Sequence, residues 1–182
     1  MLSGRFGLVK AYLRAVRVGS WIGWLFNFGL GSILFAFPPV GRALVVSFAF
    51  SLATASIFVL NQYFDREADR ENEAKAVLPV ASGRITPRGS LVFSFSLASL
   101  CLTSVWMADA SLIPLFLVYL GLGMAYSAPL PHFKTVPIVD FVVSGIGAGL
   151  LPFIMGLEVS HQLTPYPFDL SHSWVRRRYY DA

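Results

Sequence analysis

The sequence predicts an all-α integral membrane protein of about five transmembrane helices, on three observations. Of 182 residues, 55% are hydrophobic and only 13% are charged, against about 25% charged in an ordinary soluble domain. Mean hydropathy is +0.64. Apolar runs recur at close to the ~20 residues that a helix needs to cross a bilayer. This composition argues against a soluble enzyme, and sixteen Phe with seven Tyr argue against a disordered tail. A single cysteine, Cys101, lies within an apolar run. It reads as packing, since one thiol makes neither a disulfide framework nor a cysteine metal site.

The first expected span covers about residues 20–37 and closes at Pro38-Pro39. The second, 43–62, is entered through Gly41-Arg42 and runs directly into charged sequence. The third, 90–107, and the fourth, 111–126, are separated only by Ala108, Asp109 and Ala110, enough for a tight turn. Pro129, Pro131 and Pro137 then interrupt any helix. The fifth span, 138–157, carries Gly145, Gly147 and Gly149, a density that suits close helix contact in lipid. Residues 1–157 thus form one helical membrane domain, and 158–182 form a polar tail expected to be poorly ordered.

The net charge of +4 and pI of about 9.5 do not point to nucleic acid, because the basic residues sit between apolar runs. With a cytoplasmic N-terminus, ten Lys and Arg fall in inside segments up to the fifth span and one, Arg42, falls outside, as the positive-inside bias requires. Arg176, Arg177 and Arg178 in the tail run against that bias. The basic first ~18 residues lack a cleavage site, so the first span reads as a retained helix.

Chemistry concentrates where the second span ends. Asn61, Asp65 and Asp69 are spaced four apart, which stacks them on one helix face at the membrane edge. Like charges at that spacing destabilise a helix, and lipid proximity adds several kcal/mol. A cation removes both penalties. Oxygen ligands with room for water and phosphate suit Mg²⁺, and no His or Cys is near enough to favour zinc. Lys75 and Arg84, just downstream, can neutralise a phosphate. An ordinary solvated loop is the alternative reading of this spacing.

Asn61-x3-Asp65-x3-Asp69 resembles the first aspartate-rich motif of the UbiA superfamily of intramembrane prenyltransferases. Asp69-Arg-Glu-Asn-Glu-Ala-Lys75 and Leu78-Pro-Val-Ala-Ser-Gly83-Arg-Ile resemble the loop that follows it. Tyr126-Ser-Ala-Pro-Leu-Pro-His-Phe-Lys134, continuing to Asp140, resembles the second cytoplasmic loop, and Arg14-Ala-Val-Arg17 the basic approach to the first helix. The resemblance implies a helical bundle around a lipid-facing cavity and Mg²⁺-dependent transfer of a prenyl group from an isoprenyl diphosphate to a hydrophobic acceptor. It implies that Asn61, Asp65 and Asp69 hold the metal, and that Lys75, Arg84, Lys134 and Arg17 bind diphosphate oxygens. Tyr126 would donate a hydrogen bond nearby or face the forming allylic cation. Asp140 fits either a first-turn helix acid or a site role.

The resemblance also implies nine helices and a second aspartate-rich motif. After Asp140 only Asp169 and Asp181 remain, without a partner acid at i+4. The expectation is an N-terminal half whose site is incomplete alone. A shortened or frame-shifted reading frame fits, as does a short form completed by a second chain. The alternative function is a non-catalytic membrane subunit, or a half-protein that binds a prenyl diphosphate.

Overall fold

The computed structural model describes residues 2–34, 37–129 and 136–161, and every regular element among them is helical. The helices are α1 (Leu2–Ala15), α2 (Val18–Ile33), α3 (Val40–Glu71), α4 (Pro87–Asp109), α5 (Ile113–Ser127), α6 (Pro137–Gly145) and α7 (Leu151–His161). A 3₁₀ turn, Ala110–Leu112, joins α4 to α5, and a π-helical turn, Ile146–Leu150, joins α6 to α7.

Three helical stretches are long and apolar enough to cross a membrane: Val40–Glu71, Pro87–Ser127 and Pro137–Ser160. The middle one is not straight. Asp109 accepts hydrogen bonds from the Ser111 N–H and hydroxyl, capping a turn that sends α5 back beside α3. The pairings give the direction of each helix. Ser56 meets Ser94 and Arg42 meets Asp109, so α4 runs antiparallel to α3. Thr54 meets Tyr119 and Asn61 meets Ser127, so α5 runs parallel to it.

Helix α3 is the central element. Val46, Ala49, Phe50, Ala53 and Val59 are fully buried along it. Small residues let α4 approach closely, and Ser56 and Ser94 each donate to the other's carbonyl at 2.9 Å, satisfying both hydroxyls without water. Phe28 of α2 stacks on Phe50 of α3, which in turn meets Tyr119 of α5 at a tilt of 40°. Large side chains such as Phe26, Val92, Phe95, Trp106 and Phe141 point outward, as a lipid-facing surface allows.

The 32 residues of α3 extend to about 48 Å at 1.5 Å per residue, well beyond the ~30 Å hydrocarbon core. Its last three turns, from Asn61 onward, therefore continue the helix past the apolar layer. The charged stretch begins as a rigid helical extension, and only residues 72–86 form a loop. That loop folds back: Arg70 Nε donates to the Ala81 carbonyl at 2.8 Å, and Gly83 adopts a left-handed φ of 75° that glycine tolerates without penalty. Val80 and Ile85 bury against Val59 of α3 and Ala11 and Ala15 of α1. Gln62 Nε2 donates to the Ala15 carbonyl at 2.6 Å, fixing the end of α1 to α3.

Helices α2 and α7 touch backbone to backbone. A Cβ at Gly31 would meet the Phe153 carbonyl, and one at Gly156 would meet the Phe28 carbonyl. Since a carbonyl cannot rotate aside as a side chain can, Gly31→Ala or Gly156→Ala must push the helices apart. Each is expected to cost about 1–3 kcal/mol, read as a lowered thermal midpoint in detergent. Gly29→Ala, where the space is open, should leave the midpoint unchanged. Of the tail expected over 158–182, its first four residues continue α7, and the remainder lies outside the described residues.

Candidate functional site: a cavity beside the acidic face of the third helix

A cavity of about 250 Å³ opens between α2, α3, α5 and the α6–α7 segment. Its walls are mainly apolar, with Trp24, Ile57, Phe58, Leu122 and Val143 among them. Tyr119 lies deep in it, its hydroxyl 3.0 Å from Thr54 Oγ1. Asn61, Tyr126, Ser127 and Ser144 supply polar groups. The π-helical turn contributes Gly147 and Ala148 to the wall, and Asn27 Nδ2 donates to the Ala148 carbonyl at 3.1 Å. Single π-helical turns of this kind are common at functional positions.

Asn61 sits where the cavity meets the polar end of α3. Its Oδ1 accepts from Ser127 Oγ at 3.1 Å. One turn on, Asp65 is partly buried and within electrostatic reach of the Tyr126 phenol. A further turn on, Asp69 is 5% exposed and pairs with Lys75, Nζ to Oδ1 at 3.5 Å. The loop thus returns Lys75 to the acidic face of the helix that precedes it. Opposite, the Tyr126 hydroxyl donates to Asp140 Oδ1 at 2.8 Å, and Ser144 Oγ donates to the same oxygen at 3.2 Å. This pair bridges the end of α5 and the start of α6.

Arg17 occupies the elbow between α1 and α2. It is the one non-glycine residue with positive φ among those described, at φ 50° and ψ 46°. Its guanidinium carbon stands 5.7 Å from the centre of the Phe58 ring, and Phe58 lines the cavity. Left-handed backbone costs a non-glycine residue about 1–2 kcal/mol, and such strain gathers at functional positions.

The structure therefore brings Asn61, Tyr126 and, through Phe58, Arg17 to one cavity, with Asp65, Asp69 and Lys75 along the adjoining helix face. Arg84 does not join them. It lies in a separate groove with Lys10 and Arg14 of α1. Lys134 lies outside the described residues. Ser127 and Ser144 are additions that spacing did not reveal. Ser127 meets Asn61 across the interface of α5 with α3, whose register has no local sequence signal, although it adjoins Tyr126; Ser144 lies one turn from Asp140 on α6. Asp140 proves to be the acceptor that orients Tyr126.

Among the described residues no three His, Cys, Asp or Glu side chains converge. The donor set on α3 is one amide and two carboxylates at successive turns. A hard cation with several retained waters and substrate oxygens fits such a set, as Mg²⁺ commonly does. A closed all-protein cage does not.

A family model described as the UbiA prenyltransferase family matches residues 18–175. The chain belongs to this family. Decaprenyl-phosphate phosphoribosyltransferase of Mycobacterium tuberculosis is 27% identical over 138 residues, covering 72% of this chain and 46% of that protein. Protoheme IX farnesyltransferase of Paenarthrobacter aurescens is 32% identical over 97 residues, covering 52% and 29%. Among solved structures, a UbiA homolog from Archaeoglobus fulgidus bound to GPP and Mg²⁺ superposes with a TM-score of 0.75 at 24% identity. The overlap covers 82% of this chain and 54% of that one. A digeranylgeranylglyceryl phosphate synthase gives a TM-score of 0.68 at 26% identity, covering 84% and 53%. The chain thus shares the UbiA fold, and it spans about half the length of the phosphoribosyltransferase and of the two solved structures.

Proposed function

We propose that this chain binds the diphosphate of an isoprenyl donor, with Mg²⁺, on the Asn61–Asp65–Asp69 face of α3, and that the donor's apolar tail occupies the adjoining cavity. One observation carries this reading: an apolar cavity ends at a helix face bearing an amide and two carboxylates, with cations at its margins. The polar end lies on the cytoplasmic side, in keeping with the distribution of Lys and Arg.

Mg²⁺ held by Asn61, Asp65 and Asp69 would neutralise a departing diphosphate. The chain's own residues do the rest. Lys75 stands over Asp69 and adds positive charge for a phosphate oxygen. Arg17 brings a guanidinium to the rim beside Phe58, where two parallel N–H groups suit a phosphate. Asp140 and Ser144 hold the Tyr126 phenol in one orientation, so that its ring faces the donor carbon where positive charge develops. Trp24 and Phe58 add further aromatic faces and keep water from that carbon. The reaction is transfer of the prenyl group to a hydrophobic acceptor.

The second acidic set that the family resemblance implies does not occur within these 182 residues. On this reading the chain alone binds donor without turning it over. The test adds geranyl diphosphate and Mg²⁺ to the purified chain and measures released diphosphate, with and without a co-expressed second half. Release above the uncatalysed rate by the chain alone would overturn the half-site assignment.

The longer match to the decaprenyl-phosphate phosphoribosyltransferase favours a second reading, transfer of a phosphoribosyl group to a polyprenyl phosphate. Competition separates the two. A bound prenyl diphosphate analogue displaced by another prenyl diphosphate, but not by an excess of polyprenyl phosphate, supports the first; the reverse order supports the second.

Arg17 offers a prediction in which stability and binding part company. Arg17→Gly removes about 1 kcal/mol of left-handed strain, so the thermal midpoint should hold or rise. Analogue affinity should fall by about tenfold, the weight of one charge-assisted contact. Arg17→Lys should retain part of the affinity while keeping the strain.

A further inference from the structure

Three cations that stand apart from the α3 face line a second groove. Lys10 and Arg14, one turn apart on α1, line it together with Arg84 from the loop before α4. Gly7, Leu8 and Ala11 complete the lining, and the volume is about 490 Å³. No residue of this groove also lines the cavity beside Asn61. None of the three cations makes an ion pair or a side-chain hydrogen bond among the described residues, whose ion pairs join Arg42 to Asp109, Arg66 to Glu67 and Lys75 to Asp69. Three converging positive charges repel one another, and an anion between them reverses the sign of that interaction.

The surroundings say what kind of anion. Helix α1 presents three faces. Ala11 and Ala15 dock on Val59, Val80 and Ile85. Lys10 and Arg14 form the cationic face. Val9 and Leu13, one turn apart, leave an apolar face that is 58% and 67% exposed. The docked face rests on the end of α3 where apolar sequence gives way to polar, so the helix lies at the boundary of the bilayer. Exposed apolar and cationic faces side by side are the pattern of a helix lying in a membrane interface, at the depth of lipid phosphates. A free phosphate in water would gain nothing from Val9 and Leu13.

We propose that the Lys10–Arg14–Arg84 groove binds the phosphate headgroup of an anionic glycerophospholipid, at a site distinct from the diphosphate site on α3. The two guanidinium groups offer paired N–H donors to phosphate oxygens, and Lys10 adds a point charge. Leu8 lies against the glycerol end of the acyl chains. The bound lipid links α1 to the loop before α4.

The test titrates fluorophore-labelled phosphatidylglycerol into the full chain in uncharged detergent, with labelled phosphatidylcholine and inorganic phosphate in parallel arms. Phosphatidylglycerol is expected to bind at least tenfold more tightly than phosphatidylcholine and to resist displacement by millimolar phosphate. Lys10→Gln with Arg14→Gln and Arg84→Gln should weaken it about fivefold per charge, on the order of 100-fold in all. The charge-keeping set Lys10→Arg, Arg14→Lys and Arg84→Lys should retain most of the affinity. Equal binding of the two lipids, or unchanged affinity in the Gln variant, would overturn the proposal. Ready displacement by inorganic phosphate would overturn the lipid assignment in favour of a soluble anion. If the Gln variant does not fold, the wild-type chain decides: affinity unmoved by 0.5 M salt, where screening is short-ranged, also overturns it.

Discussion

Asp65→Ala combined with Asp69→Ala is expected to abolish Mg²⁺-dependent binding of a prenyl diphosphate analogue, a loss on the order of 100-fold or more. Outer partners of a metal ligand alone are worth about 10–100-fold, and these two changes remove the only carboxylates on the proposed ligand face. The single changes should differ. Asp69 is buried and paired with Lys75, so Asp69→Asn also leaves the ammonium without its partner, free to pair with the diphosphate. Part of the lost affinity is thereby offset. Asp65→Asn removes the other carboxylate of that face and leaves the Lys75–Asp69 pair in place. Titration of a non-hydrolysable analogue at fixed Mg²⁺ reads both. Equal affinity in wild type and the double variant would show that the acidic face plays no part.

The second large effect lies at the other end of the bundle. Arg42 at the start of α3 pairs with Asp109 at the end of α4 and also donates to the Glu158 carbonyl on α7 at 3.2 Å. The two side chains are 11% and 8% exposed. One guanidinium thus ties three helices together where the surroundings are dry. Removing one member of a buried ion pair commonly costs about 3–5 kcal/mol. Arg42→Met should therefore lower the thermal midpoint sharply. Adding Asp109→Asn should restore much of the loss, because the amide needs no counter-ion and its oxygen can still cap the turn at Ser111. Analogue binding in the folded fraction should be unchanged, since the proposed site lies at the opposite end of α3. A double variant no more stable than the single one would mean that the pair matters through packing and not through charge.

The residues made some of this legible and hid the rest. Helices α2 to α7 coincide with apolar runs, and three helical stretches among the described residues are long and apolar enough to cross a membrane. Asp109 between two runs announced a tight turn, and it caps one. The i, i+4 spacing of Asn61, Asp65 and Asp69 placed them on one face, and α3 continues as helix through all three. The spacing did not reveal that α3 stays helical to Glu71, because charged residues there look equally at home in a loop. What stops the loop from starting earlier is tertiary: Gln62 and Val59 dock on α1, and Arg70 holds Ala81. The partners of Asn61 and Tyr126 were hidden for a different reason. Ser127, Asp140 and Ser144 reach them across helix interfaces, where register is set by small residues packing in three dimensions. Arg84 shows the limit of reading by proximity in sequence. It is as near the acidic motif as many of its neighbours, yet the left-handed turn at Gly83 leads it to α1.

The proposed function turns on a metal-dependent diphosphate site at the acidic end of the cavity. The most direct measurement is the affinity of the full chain for a labelled prenyl diphosphate analogue in the presence of Mg²⁺ and again in excess chelator, with the matching prenyl alcohol as the control. The prediction is at least tenfold tighter binding with Mg²⁺ for the diphosphate, and no metal dependence for the alcohol. Equal affinity with and without metal, or an alcohol that binds as well as the diphosphate, would contradict it.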